Sequence, residues 1–218
     1  MLIFQRTRHY LKKTFVYDVI QLFRLEREYW AWRASGRIGI TPHRVKQKAL
    51  LGYAARFKIS TLVETGTYLG FMMSAVKRNF QQIYSIELDE DLYHRAQSKF
   101  VRFRHIHFLH GDSAQVLPEV MDRIHEPCLF WLDAHYSGGI TAKGDLETPV
   151  VQELHQILSH PLAAQHVILI DDARNFVGNN NYPTLQQVYD YVRTAYPSSV
   201  MKIKDDIIRI HRSDSYPE

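Results

Sequence analysis

The sequence predicts one doubly wound α/β domain with a mainly parallel sheet, preceded by helices and closed by an antiparallel hairpin. Short β-rich segments alternate with helical patterns from residue 59 onward, which is typical of βα units. The last two β-rich segments are separated by only two residues, which is typical of a hairpin. A chain of 218 residues with 45% apolar content can bury one full-sized core and has little room for two.

Five segments are predicted to be parallel strands because each is short, apolar and followed by a helical pattern. They are Thr61 to Glu64, Ile83 to Glu87, His105 to Leu109, Cys128 to Leu132 and Val167 to Ile170. The predicted hairpin consists of Val200 to Lys204 and Ile207 to His211, joined by Asp205 and Asp206.

Two helical patterns precede the first strand, from Phe15 to Trp32 and from Pro42 to Arg56. We therefore divide the chain into a basic helical segment, residues 1–57, and an α/β domain, residues 58–218. Residues 1–50 contain eleven Lys and Arg but three Asp and Glu, a net charge of +8, whereas the remainder carries −4. This segment either packs on the domain or contacts an anionic membrane or an acidic partner. A contact with nucleic acid is less favoured, because the sequence lacks a pattern of interleaved basic and aromatic residues. Trp30 and Trp32 are expected to be exposed, where they would suit a homodimer contact. The alternative is that they cover the sheet.

The compartment is predicted from the apolar stretches and the cysteine content. No apolar stretch approaches the roughly 20 residues that a membrane helix needs, and the N-terminus lacks the pattern of a secretory signal. The single cysteine, Cys128, lies in a predicted core strand, so it forms neither an internal disulfide nor a thiolate metal cluster. We expect a reducing, cytoplasmic location.

The strongest functional signal is the segment VETGTYLG, from Val63 to Gly70, which follows the first strand and precedes a helix. In open α/β sheets ligands bind at the carboxyl ends of strands, where glycine lets the backbone approach closely. An acid at the end of the second strand, Glu87, suits the two hydroxyls of a ribose. A dinucleotide site would need Gly-x-Gly-x-x-Gly, and a carboxylate at Glu64 would repel its pyrophosphate. The pattern therefore favours S-adenosylmethionine, with its cationic methionine end, over NAD.

This motif is similar to the first motif of catechol O-methyltransferase and its metal-dependent relatives, which have a tyrosine where many methyltransferases have a middle glycine. The resemblance covers residues 58 to 211 and implies the Rossmann-like class I methyltransferase fold. It implies a ribose-binding role for Glu87, and the segment from His110 to Ser113 matches the motif whose polar residue faces adenine. The cofactor-binding residues expected are Glu64, Gly66, Thr67, Tyr68, Gly70, Glu87, Asp112, Ser113 and Asp133.

Three aspartates follow the fourth and fifth strands, namely Asp133, Asp171 and Asp172. Because these strand ends lie side by side in a doubly wound sheet, the three carboxylates are expected to converge on one hard cation such as Mg²⁺. The resemblance extends to metal-dependent O-methyltransferases, including the macrocin type that acts on sugars, which use acids at these positions as ligands. The alternative is a structural role, in which the aspartates cap the helices that follow.

The candidate general base is His135, which follows Asp133 by two residues and has an imidazole able to accept a proton at neutral pH. Catechol O-methyltransferase uses a lysine nearby, which makes Lys143 the reserve candidate. The leading hypothesis is metal-dependent O-methylation of a sugar or another small hydroxylated acceptor. The alternatives are a metal-independent small-molecule methyltransferase, a non-enzymatic protein that docks through its basic N-terminus, and an NAD-dependent oxidoreductase.

Overall fold

A computed structural model describes residues 15–37, 40–134 and 148–213 of the chain. The chain divides into two compact units, one ending at Lys48 and the other beginning at Ala49. The boundary expected from the sequence, after residue 57, therefore falls inside the second unit, and the extent of the functional domain stays a prediction.

The first unit contains helix α1 (Phe15–Ala34) and the start of helix α2 (His43–Phe57), as the sequence predicted. An ion pair between Arg44 and Glu26 and a hydrogen bond from Lys48 Nζ to Tyr29 Oη (3.2 Å) join the two helices. Trp30 is exposed, but Trp32 is buried, so the expectation that both indoles are exposed was wrong for Trp32. Among the described residues, no helix combines the length and apolarity needed to span a membrane.

The second unit is built around a seven-stranded sheet that confirms the predicted doubly wound architecture. After α2 the elements are β1 (Thr61–Thr65), α3 (Phe71–Val76), β2 (Gln82–Glu87), α4 (Glu90–Phe100), β3 (Ile106–His110), α5 (Ser113–Met121), β4 (Cys128–Leu132), α6 (Val150–Leu158), β5 (Val167–Ile170), α7 (Leu185–Ala195), β6 (Ser199–Lys204) and β7 (Ile207–Arg212), with short 3₁₀ helices at Ala163–Gln165 and Ala173–Asn175. The strand order is β3-β2-β1-β4-β5-β7-β6.

Strands β1 to β5 are parallel, whereas β7 runs antiparallel between β5 and β6. The hairpin between β6 and β7 turns at Asp205 and Asp206, which have φ angles of 52° and 59°. Positive φ angles at both central residues are typical of a type I′ turn, whose backbone twist matches the twist of the two flanking strands. Asp tolerates this left-handed conformation better than most residues.

Both faces of the central strands are covered. All residues of β1, β4 and β5 are buried, as expected for parallel strands with helices on each side. Val63 and Phe130 pack on the face occupied by α5, α6 and α7, whereas their neighbours Leu62 and Trp131 pack on the opposite face against α3 and the end of α2. Alternation of side chains along a strand assigns neighbours to opposite faces. Two apolar layers therefore hold the sheet rigid beneath its carboxyl edge.

The order of the strands reverses at β1, which pairs with β2 on one side and β4 on the other. The loops after these strands are pinned together by backbone hydrogen bonds from Gly66 N to Ile86 O (2.9 Å) and from Asp133 N to Thr65 O (3.1 Å). Crevices for ligands form at such switch points in open α/β sheets.

Gly66→Ala should lower the free energy of unfolding by about 2 kcal/mol or more, because Gly66 has a φ of +85° and an added Cβ would lie 2.6 Å from the backbone oxygen of Asp133. Gly52→Ala is the matched control, since Gly52 lies inside α2 with nothing within 4 Å of an added Cβ. There alanine should raise the free energy of unfolding by about 0.5–1 kcal/mol. Urea unfolding followed by circular dichroism measures both, and a Gly66→Ala variant as stable as the wild type contradicts the close approach of the two loops.

Candidate active site

The loop after β1 makes a tight left-handed turn at the carboxyl edge of the sheet. Gly66, Tyr68 and Gly70 have φ angles of 85°, 50° and 67°. A non-glycine residue with positive φ is uncommon. Tyr68 therefore occupies a position where glycine would adopt the backbone conformation with the lowest conformational energy. This backbone requirement explains why a middle glycine is frequent in the motif that the sequence resembles. Tyr68 is also exposed.

The structure places Glu87 beside this loop. Glu87 Oε2 accepts a hydrogen bond from Tyr68 N (2.6 Å), and Oε1 accepts one from Asp89 N (3.0 Å). Burial raises the pKa of Glu87, while these backbone N–H groups oppose the shift. Each carboxylate oxygen can accept a second hydrogen bond, so the arrangement retains capacity for two ligand hydroxyl groups.

Glu64, whose carboxylate is predicted to suit the cationic methionine end of the cofactor, is buried at the end of β1. Ser85 Oγ donates a hydrogen bond to Glu64 Oε2, and the hydroxyl groups of Ser85 and Thr67 are 2.6 Å apart. Burial raises the pKa of Glu64 well above its ordinary value, and the charges of Asp133 and Glu87 raise it further. A carboxyl group with a raised pKa is protonated more readily and then repels a pyrophosphate less, so Glu64 is weaker evidence against NAD than the sequence suggested.

The motif after β3 forms the start of α5. Asp112 is the N-cap residue of this helix, and its Oδ1 accepts a hydrogen bond from Ala114 N (2.9 Å). Ser113 is buried, and its Oγ has no hydrogen bond of normal geometry to any described atom. The start of α5 therefore holds Asp112 and Ser113 at the carboxyl edge of the sheet.

Two of the three predicted metal ligands line one pocket. Asp133 is partly exposed after β4, and Asp171 is buried after β5, where its N–H bonds to Leu132 O (3.0 Å). The residues that line the pocket are Leu132, Asp133, Ala134, Thr148, Val150, Glu153, Ile170, Asp171, Phe176 and Tyr182.

Asp172 does not line this pocket. Its backbone is left-handed, with a φ of 56°, and its Oδ1 accepts a hydrogen bond from Arg174 Nη1 (2.8 Å). Arg174 also forms an ion pair with Asp206 in the β6–β7 turn. Asp172 therefore ties the end of β5 to the hairpin, and it makes no side-chain hydrogen bond to cap the 3₁₀ helix that follows. In the part of the chain that the structure describes, no three His, Cys, Asp or Glu side chains are arranged to hold a metal ion.

The two candidate bases, His135 and Lys143, lie outside the described residues. Their roles stay predictions.

Sequence reasoning missed Glu153, which lies in the first turn of α6 and is only 1% exposed. Burial raises its pKa to about 7; the hydroxyl groups of Ser113 and Thr65 partly oppose the shift, and the charges of Asp112 and Asp133 add to it. A signal was present in the sequence, because Val150, Leu154 and Ile157 repeat at helical spacing and Glu153 falls on the same apolar face. A carboxyl group on such a face is rare without a partner.

Comparison with known proteins gives matches among solved structures. No protein-family model matches the sequence, and no curated protein matches it. The methyltransferase PaMTH1 of Podospora anserina, solved with S-adenosylhomocysteine, is similar over 87% of this chain and 88% of its own, with 16% identity and a TM-score of 0.53. An O-methyltransferase from Bacillus cereus, also solved with S-adenosylhomocysteine, covers 85% of this chain and 88% of its own, with 16% identity and a TM-score of 0.53.

A third similar structure is the O-methyltransferase TomG of Streptomyces achromogenes, solved with S-adenosylmethionine. It covers 85% of this chain and 87% of its own, with 15% identity and a TM-score of 0.55. The antiparallel β7 between β5 and β6 also separates this sheet from the dinucleotide-binding order 3-2-1-4-5-6. The chain has the Rossmann-like fold that these S-adenosylmethionine-dependent methyltransferases share.

Proposed function

We propose that the chain is an S-adenosylmethionine-dependent methyltransferase that methylates an oxygen atom of a small hydroxylated acceptor. One observation carries the proposal: Glu87 and the left-handed loop after β1 are joined by a hydrogen bond at the switch point of the sheet, directly beside Asp133. The cofactors bound to the similar structures support the same assignment.

The residues at the carboxyl edge suit the parts of this cofactor. S-adenosylmethionine, when bound, supplies a methyl group on a positively charged sulfur atom. In the proposal Glu87 accepts hydrogen bonds from the ribose hydroxyl groups, using lone pairs that Tyr68 N and Asp89 N leave available. Gly66 brings the backbone against Asp133 without a side chain between them, which suits the methionine end of the ligand.

Glu87→Ala should weaken the binding of S-adenosylhomocysteine by at least about 10- to 100-fold, because the loss of even one of the two proposed hydrogen bonds to a charged group costs about 1.5–3 kcal/mol. Glu119→Ala is the control, since Glu119 is exposed on α5 and pairs only with Arg123 among the contacts seen. Isothermal titration calorimetry measures both variants. Equal affinity of the Glu87→Ala variant and the wild type contradicts the ribose-binding role.

The pocket between β4 and β5 supports a hydroxylated acceptor. Asp133, Asp171 and Thr148 supply oxygen atoms for hydrogen bonds, and Phe176 and Tyr182 supply aromatic surface. Carboxylate and hydroxyl groups with an aromatic wall suit a sugar, whose hydroxyl groups need partners and whose C–H face packs on a ring. Holding the acceptor oxygen beside the cofactor would supply much of the rate enhancement by proximity alone. His135 is the proposed base and Lys143 the alternative.

Transfer of isotopically labelled methyl groups from S-adenosylmethionine should occur to members of a panel of sugars and nucleotide sugars. Catechols and caffeoyl esters are the control acceptors, because they share the hydroxyl group without the saturated ring. Labelling confined to the aromatic acceptors contradicts the sugar proposal while leaving methyl transfer intact.

A magnesium ion is a further part of the proposal, held by Asp133 and Asp171. Mg²⁺ keeps several waters and is bound in many enzymes by one or two carboxylates, so two aspartates in one pocket fit it. Asp172 fits less well, because its carboxylate is engaged by Arg174. Bound Mg²⁺ would lower the pKa of an acceptor hydroxyl group. The mutual repulsion of the pocket carboxylates would fall at the same time.

Asp171→Asn should weaken Mn²⁺ binding by at least about tenfold, the scale on which even residues outside the first coordination shell act. Asp172→Asn is the matched control. It removes a negative charge at the adjacent position, but that carboxylate contacts Arg174 and does not line the pocket. Mn²⁺ titration followed by electron paramagnetic resonance measures both. A wild-type protein that does not bind Mn²⁺ favours the metal-independent alternative.

A further inference from the structure

Helix α1 presents three large apolar side chains to solvent. Ile20, Phe23 and Trp30 are 57%, 74% and 60% exposed, respectively. A helix turns by roughly 100° per residue, so these positions lie within an arc of about 80° on one side of α1, here called the apolar face. Single exposed apolar residues are ordinary, whereas a group of them on one helix face marks a surface that contacts another molecule or a membrane.

The opposite side of α1 makes contacts within the chain. Trp32 is buried on that side, and Tyr29 Oη accepts the hydrogen bond from Lys48 Nζ of α2. The helix therefore has two apolar sides. The side with Tyr29 and Trp32 explains how α1 is held in the first unit, and the apolar face is left for another contact.

Arg27 lies within the arc of the apolar face and is exposed. Two nearby acids are already paired. Glu26 forms an ion pair with Arg44. Glu28 forms one with Arg24 at 2.7 Å. Arg27 itself has no ion pair with a residue that the structure describes, so its positive charge is available to an external anion.

Basic residues also precede the apolar face in the sequence. Residues 1–14 contain four Lys and Arg and no Asp or Glu, and residues 1–50 carry a net charge of +8. Lys and Arg beside an amphipathic helix are attracted to anionic lipid, and each of them near the surface strengthens the binding. An anionic bilayer is therefore complementary to this helix in both apolarity and charge.

A second copy of the chain suits the apolar face less well. In a two-fold pair of α1 helices centred on this face, each Arg27 would meet its own copy, and burying like charges together is unfavourable. At a bilayer surface the aliphatic stem of Arg27 can instead lie along the apolar region while its guanidinium group reaches the lipid phosphates. Trp30 belongs to a residue type that is enriched at membrane–water interfaces.

We propose that α1 is an interfacial helix that binds an anionic lipid bilayer. Ile20, Phe23 and Trp30 enter the boundary between head groups and acyl chains, and Arg27 contacts the phosphates. This inference concerns where the chain is held, and it does not depend on the proposed methyl transfer.

The test is flotation of the full chain with two kinds of vesicle, phosphatidylcholine alone and equal parts of phosphatidylcholine and phosphatidylserine. The wild type should bind the phosphatidylserine vesicles, and added salt should weaken that binding because it screens the attraction. Phe23→Ser and Trp30→Ser together should lower the partition coefficient about tenfold or more, because two apolar side chains no longer leave water. Arg27→Gln should lower it about fivefold on the phosphatidylserine vesicles, the scale of one basic residue at an anionic surface.

Val101→Ser is the matched control, since Val101 follows α4 in the second unit and is as exposed as Phe23, at 74%. It should keep the wild-type binding. Circular dichroism verifies that each variant is folded, and the single substitutions replace the double variant should that one not fold.

A folded Phe23→Ser, Trp30→Ser variant that binds like the wild type overturns the inference. A wild type that binds neither kind of vesicle, or both equally, overturns it as well. Sedimentation equilibrium without lipid tests the other occupant: a dimer that the double variant abolishes, in a chain that does not bind vesicles, assigns the apolar face to a second copy.

Discussion

Strand β1 pairs in parallel register with β2 on one side and with β4 on the other, and the position of the candidate site depends on this double pairing. The register sets Thr65 level with Ile86 and Leu132, so the segments that follow the three strands emerge at the same height. Only a residue without a side chain fits between the loops, because an added Cβ at Gly66 would lie 2.6 Å from the Asp133 oxygen. The crevice, the pocket beside it and the buried acids all lie along this edge.

Burial dominates the electrostatics of this edge. Glu64, Glu87 and Glu153 all have raised pKa values, with burial as the largest cause, and nearby carboxylates add to the shift. A raised pKa favours the protonated form, which lowers that repulsion. A cation at the edge, whether the sulfonium end of a cofactor or Mg²⁺ beside Asp133, would instead favour the charged forms. The acids thus make the edge receptive to positive charge.

Hydrophobic patterning was sufficient to predict the strands and the terminal hairpin, because a buried parallel sheet needs short apolar segments. The same patterning predicted that Glu87 lies at the end of β2, where it contacts the loop after β1. Side-chain partners could not be predicted in the same way: Asp172 contacts Arg174 because of a left-handed backbone, and Glu64 bonds to Ser85 of the neighbouring strand. Glu153 was missed because functional acids were expected at strand ends, whereas this acid reaches the edge from a helix.

Calorimetric titration of the wild-type chain with S-adenosylhomocysteine and, separately, with NADH tests the central claim most directly. Micromolar binding of S-adenosylhomocysteine with no binding of NADH is the predicted result, since the loop after β1 has the spacing Gly66-x-x-x-Gly70 and lacks the Gly-x-Gly-x-x-Gly pattern of a dinucleotide site. Binding of NADH, or of neither compound, would contradict the assignment of the Gly66 to Gly70 loop to S-adenosylmethionine.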